Sequence, residues 1–266
     1  MEQCPWKYNI HSHTKRCGHA EGEDEEYVQA ALDVDIKELG FSDHVFLPGL
    51  TQPGMRGDYE LLNDYLASIR SLRKNYAKQM DIYAGFEAEY IPEFEEYYRR
   101  LLDEGKIDYL ILGQHYFFCD NAMHWYIRDT TYEAAVRHYT DDVIRGMETG
   151  LFAYVAHPDF FLIFGREWNH ATIECAFAIA GASKRLGVPL EVNMAHGRSS
   201  LPDERGAIDY PYGKFWDIVS QVGSDVVFGV DAHRPEEYRT TSYSRFETFA
   251  KAHNLHIVAP KLKHRS

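Results

Sequence analysis

Two imidazoles one residue apart, in the run Asn9-Ile10-His11-Ser12-His13, are the first residues of this chain with the type and spacing to do chemistry. Ile10 follows Tyr8 with period-2 spacing, so the run reads as a short strand whose end delivers both rings to one face. The loop Arg16-Cys17-Gly18-His19 brings a third imidazole. Neutral imidazole offers a lone pair near neutral pH, which makes histidine the commonest side-chain metal ligand. His-x-His at a strand end is the shortest spacing that points two such lone pairs the same way. Cys17 reads as a loop residue. An isolated His-x-His would be an exposed turn; what argues otherwise is how the rest of the chain ends its strands.

The elements that must position these side chains alternate regularly. Strand patterns at Ile36–Phe41, Asp81–Phe86, Tyr109–Leu112, Phe152–Ala156, Pro189–Asn193 and Val226–Val230 follow the first. Between them lie helical patterns, beginning with the acidic run Glu21–Glu26 leading into Tyr27–Leu32, where negative charge suits a helix N-terminus. The others cover Asp58–Gln79, Pro92–Glu104, Thr131–Thr149, Ala171–Leu186, Tyr212–Val222 and Glu236–His253. Seven strand–helix pairs in this length predict an α/β fold with a parallel sheet closed into a barrel. A doubly wound open sheet is the lesser expectation, because no Gly-x-Gly-x-x-Gly follows the first strand.

In such a barrel the carboxyl ends of the strands form the chemical rim. That rim would collect His11, His13, His44, Glu87, His115, His157, Asp231 and His233. Each alone has a dull explanation as a cap, a turn or a solvated acid; their recurrence at one topological position does not. So many imidazoles plus two carboxylates exceed what one tetrahedral zinc needs, so more than one divalent ion is expected. Mixed nitrogen and oxygen ligands suit zinc, iron or manganese. Glu87, an acid among histidines, is the natural bridge between two ions because it has two oxygens to share. His124, His138, His170, His253, His256 and His264 read as surface residues, and His196, just past a strand end, as a substrate contact.

The 266 residues are 45% apolar with a net charge of −13, which argues against duplex nucleic acid as a partner. Met1–Trp6 shows neither a basic nor an apolar leader, and no apolar run approaches the ~18 residues that span a bilayer. The scattered cysteines Cys4, Cys17, Cys119 and Cys175 fit a reducing cytoplasm rather than a disulfide frame. Assembly as a homo-oligomer is compatible with the sequence.

The ordered set His11-x-His13, Ser42-Asp43-His44, Gly85-x-Glu87, His115, His157-Pro158-Asp159 and Asp231-x-His233 resembles the polymerase-and-histidinol-phosphatase (PHP) superfamily, and within it the stand-alone histidinol-phosphate phosphatases. The resemblance implies a distorted, TIM-like (β/α)7 barrel over a single domain, residues 1–266, with two or three divalent ions at its rim. It implies a first ion on His11, His13, Glu87 and Asp231, a second on His19, His44 and His233, and a third on Glu87, His115 and His157. Arg198 is expected to bind the substrate phosphate, with Arg166 and His196 as further substrate contacts. Two positions depart from the family pattern: no aliphatic residue precedes His115, and His196 stands where a small residue is usual.

The expected reaction is phosphomonoester hydrolysis, L-histidinol phosphate and water giving L-histidinol and phosphate in histidine biosynthesis. A hydroxide bridging the metals would attack phosphorus in line, with Glu87, Asp231 and Arg198 as the catalytic side chains. The alternatives are a related phosphoesterase for another small ester or nucleotide, a metal-dependent amidohydrolase, and a non-enzymatic metal-binding protein. The amidohydrolase usually needs a lysine at a middle strand end, and none stands there.

Overall fold

A computed structural model of the chain describes residues 1–126, 131–163, 168–195 and 211–262. Strands β1 (Tyr8–Asn9), β2 (Glu38–His44), β3 (Asp81–Ala88) and β4 (Tyr109–Leu112) pair in that order, all parallel. After β4 comes an antiparallel hairpin, β5 (Tyr116–Cys119) and β6 (Ala122–Trp125). Strands β7 (Leu190–Asn193), β8 (Asp225–Gly229) and β9 (His256–Ile257) form a second parallel sheet. Single parallel bridges join Leu112 to Val155, Val155 to Leu190, and Ser12 to Ala232. The result is a curled parallel sheet of α/β type.

Helices cover the outside of the curl: α1 (Asp24–Asp33), α2 (Leu62–Tyr76), α3 (Glu95–Asp103), α4 (Tyr132–Glu148), α5 (His170–Leu186), α6 (Gly213–Val222), α7 (Glu236–Thr240) and α8 (Tyr243–Ala252). Their starts and stops follow local chemistry. Glu23 and Glu26 close a capping box on α1, Asn169 and Thr172 one on α5, and Gly187 ends α5 in the left-handed conformation. None of the described helices is long and apolar enough to cross a membrane.

The larger core lies between sheet and helices, where Phe86 packs against Phe46 and Tyr65. A smaller cluster of Ile10, Tyr109, Ile111, Tyr154, Ala156 and Val227 fills the inside of the curl. Tyr109 spans that interior, its hydroxyl donating to the carbonyls of Ile10 and Phe41. Gly40 and Gly85 make this possible, since a Cβ at either position would collide with the phenol ring.

Several elements differ from the sequence expectation. The strand expected at Phe152–Ala156 is present in irregular form: Val155 alone forms bridges, to Leu112 and Leu190, while Ala153, Tyr154 and Ala156 still exchange backbone hydrogen bonds with Leu110 and Leu112 before His157 turns with φ 32°. The helix expected over Glu236–His253 is two, α7 and α8, broken where Thr241 is extended. The hairpin β5–β6 and the short strand β9 are not among the expected elements.

Candidate metal centre

Side-chain alternation sets which residues line the mouth of the curl. From β3 onward along one parity come Gly85 and Glu87; from β4, Ile111, Gly113 and His115; from β8, Val227, Gly229, Asp231 and His233. Glycine recurs among them for a spatial reason: a Cβ at Gly113 would collide with the Glu87 carboxylate, and one at Gly229 with that of Glu191. His157 and Asp231 both carry positive φ, 32° and 51°, which costs non-glycine residues of order 1–3 kcal/mol each. Strain of that kind concentrates at sites where a side chain must be aimed.

At the centre, four donor atoms converge. His13 Nε2 lies 3.1 Å from Asp231 Oδ1 and 3.5 Å from Glu87 Oε2, and His11 Nε2 lies 3.5 Å and 3.7 Å from the same two oxygens. A tetrahedral ion with bonds of about 2.1 Å spaces its ligands about 3.4 Å apart, so these gaps fit one. Glu87 faces both ways. Its Oε2 is also 3.1 Å from His44 Nδ1, while its Oε1 is 2.8 Å from His157 Nε2 and 3.5 Å from His115 Nε2. Towards the rim, His13, His44 and His233 bring donor atoms within 4.8 Å of one another, and His19 Nε2 lies 3.0 Å from His233 Nε2. All nine residues expected to hold metal are therefore gathered in one mouth.

The donor set also passes a chemical test. His11 Nε2, both ring nitrogens of His13, and His44 Nδ1 are buried without a hydrogen-bond partner among the described residues. Leaving such groups unsatisfied costs about 1–3 kcal/mol each. A cation at the centre satisfies the inward-facing ones together.

Burial and charge divide the cluster into two zones. Burial opposes ionisation of Glu87 and Asp231, yet the surrounding histidines hold both carboxyls well below their usual range. Burial also opposes protonation of His11 and His13. There the carboxylates prevail, with Glu191, Asp231 and Glu87 raising His11 and the neighbouring Asp231 and Asp43 carboxylates raising His13 to about 9. At the rim the balance reverses. Burial and the neighbouring His13 push His233 down to about 3, and burial keeps His44 well below its ordinary value despite Glu87. The centre favours positive charge, and the rim disfavours protonation of its imidazoles.

Behind the inward-facing nitrogens stands a row of acceptors. Glu191 accepts from His11 Nδ1 at 2.8 Å, from the His157 backbone N–H at 3.1 Å and from Asn193 Nδ2 at 2.9 Å. Asn193 Nδ2 also reaches Asp231 Oδ2 at 3.1 Å. Asp43 Oδ1 lies 3.6 Å from His13 Nδ1, and its other oxygen accepts from the Thr14 hydroxyl. Glu89 accepts from His115 Nδ1 at 3.3 Å. Such acceptors fix which ring nitrogen carries the proton and so aim the other one inward. The sequence holds no separate sign of the roles of Asp43, Glu89 and Glu191. For Asp43 and Glu89 the available signal was position alone, one residue before His44 and two after Glu87; Glu191, inside β7, had no candidate metal ligand near it in the sequence. Arg166, His196 and Arg198, the expected substrate contacts, lie outside the described residues.

Residues 9–195 match the PHP domain family, and the chain belongs to it. A Deinococcus radiodurans protein named as a probable histidinol-phosphatase is 29% identical over 233 residues, covering 85% of this chain and 86% of that protein. Two solved structures share the fold with a TM-score of 0.72. One is a Listeria monocytogenes protein assigned as a histidinol phosphatase, 20% identical over 90% of this chain and 99% of that one. The other is the histidinol phosphate phosphatase of Lactococcus lactis, complexed with zinc, L-histidinol and phosphate, 19% identical over 96% of each chain.

Proposed function

We infer that this chain is a metal-dependent phosphomonoester hydrolase that converts L-histidinol phosphate and water into L-histidinol and phosphate. One observation carries the reading: two histidines and two carboxylates present four atoms at tetrahedral spacing, and Glu87 turns its second oxygen towards two further histidines. The first ion is assigned to His11, His13, Glu87 and Asp231, a second to His19, His44 and His233, and a third to Glu87, His115 and His157. Two or three ions of zinc, iron or manganese suit this mixture of donors. Zinc in the Lactococcus lactis protein supports that class. The strands and bridged segments are assigned to a distorted (β/α)7 barrel, and residues 1–266 to a single domain.

Divalent ions, when bound, supply a nucleophile at neutral pH and neutralise charge on the phosphoryl oxygens. The rest falls to the chain. Glu191 holds His11 with Nε2 inward, and Asn193 steadies both Glu191 and Asp231. Arg198 is assigned to the phosphate, where a guanidinium fork suits paired oxygens; Arg166 and His196 are assigned to the remainder of the substrate. A chain of net charge −13 takes a small phosphorylated molecule rather than nucleic acid. The cytoplasm is the compartment that fits such a metabolic step.

The test compares phosphate release from histidinol phosphate with a panel of sugar and nucleotide esters. Histidinol phosphate should be the preferred ester. Glu87→Ala and Asp231→Ala should each lose several kcal/mol of charge stabilisation, roughly a thousandfold or more in kcat, with the fold retained by circular dichroism. Near-normal turnover in both variants would exclude the mechanism, and preference for another ester would replace the substrate.

A further inference from the structure

Arg56 is a buried cation that the proposed reaction does not use. It sits in the segment between β2 and α2 with its side chain 0% exposed, and every polar contact it makes is internal. Its Nε donates to Gln52 Oε1 at 2.8 Å and its Nη1 to the Val45 carbonyl at 3.0 Å. Its Nη2 donates to both oxygens of Glu89, at 3.1 Å and 3.0 Å. Replacing a buried ion pair of this kind by apolar residues is often neutral or stabilising, so stability alone is a weak reason for its presence.

The geometry beyond Glu89 supplies a better reason. Glu89 lies two residues after Glu87 at the same strand end, and it is just as buried. A free carboxylate there would compete to enter the metal cluster. With Arg56 Nη2 lying across both its oxygens, Glu89 is held back, and its Oε1 instead accepts from His115 Nδ1 at 3.3 Å. That bond places the proton of His115 on Nδ1 and leaves Nε2 facing Glu87 Oε1, 3.5 Å away.

We propose that Arg56 is a positioning residue for the His115 subsite: by pinning Glu89 outside the ion's coordination shell, it fixes His115 in the orientation and tautomer that bind metal. The inference rests on the metal centre assigned above. Partners behind a ligating histidine typically contribute 10–100-fold to metal affinity, which sets the expected size.

The experiment is a zinc titration of the full chain against a chromophoric chelator, with bound zinc counted by elemental analysis. It is run on wild type, Arg56→Met, Arg56→Lys, Glu89→Gln, His115→Ala and the Arg56→Met/His115→Ala double variant. One class of zinc site should weaken 10–100-fold in Arg56→Met and Glu89→Gln and less in Arg56→Lys. The double variant should match His115→Ala alone, because both changes act through one imidazole. Wild-type affinity at every site in Arg56→Met, with only thermal stability lowered, would reduce Arg56 to a structural tie. Fully additive losses in the double variant would do the same. Should Arg56→Met fail to fold, Glu89→Gln and Arg56→Lys decide by the same criteria. A wild-type chain that takes up no zinc, iron or manganese would instead remove the metal centre itself, a different failure from the variants behaving as wild type.

Discussion

Histidine–carboxylate pairs occur in two regions of this molecule, and their distances alone do not tell them apart. On the surface, His256 Nδ1 lies 2.8 Å from Asp225 and His253 Nδ1 2.7 Å from Asp217. In the mouth of the curl, His11 Nδ1 lies 2.8 Å from Glu191. The side chain of His256 is 72% exposed and that of His11 0%. The surface pairs are solvated hydrogen bonds, worth little because water competes for both partners. The buried pair leaves its second nitrogen no solvent, so that nitrogen must find a partner inside, and it faces Glu87 and Asp231. The same pairwise contact is an end in itself outside and an aiming device inside.

Removing the metal should break this contrast most completely. Chelation should abolish phosphatase turnover and lower the melting temperature, since ions at a hundredfold over Kd add about 2.7 kcal/mol to the folded state. Zinc should restore both, read by phosphate release and by calorimetry. A smaller effect is expected from Gly113→Ala, whose new methyl would collide with the Glu87 carboxylate. Displacing a reacting group by about 1 Å can cost roughly 100-fold, so kcat should fall by that order with the fold intact. Unchanged kcat would mean that Glu87 has freedom to move that the buried cluster denies it. Next comes Glu191→Gln. Its carboxylate accepts from three donors, and an amide must turn an N–H group towards one of them. Metal affinity should fall about 10–100-fold, measured by the same competition titration; an unchanged affinity would show that His11 needs no partner behind it.

The inner half of this contrast was legible in the sequence, and its supports were not. Imidazoles and acids recur at strand ends, and strand ends can be read from apolar runs, so His11, His13, His44, Glu87, His115, His157, Asp231 and His233 were found as a set. Glu89 and Glu191 were not separable from solvated acids, because their role depends on which nitrogen they meet across the curl. Arg56 sits in an irregular segment with no periodicity, so nothing in its neighbourhood marks it as buried. The hairpin β5–β6 carries a signal that can be read from the sequence. Asp120 and Asn121, both at positive φ, form the two-residue turn that such hairpins favour, between aromatic-rich strands. The run Phe152–Ala156 shows the limit of an apolar pattern: it places the segment between β4 and β7, where its backbone hydrogen-bonds to both, but it does not reveal that the ladder is irregular and ends at the turn of His157.

The smallest expected effect sharpens the comparison from the outside. Asp225 and His256 lie opposite each other where β8 pairs with β9, close enough for a bond yet open to water. Water solvates either partner when the other is removed, so no buried group is orphaned and no ring is left misdirected. His256→Ala should therefore change stability by less than about 0.5 kcal/mol and leave metal content and kcat at wild-type values. Calorimetry and elemental analysis on one preparation read all the terms. A loss of bound metal in this variant would mean that the two regions communicate through β8, whose far end carries Asp231, and that the surface pair helps to set the register aiming the carboxylate.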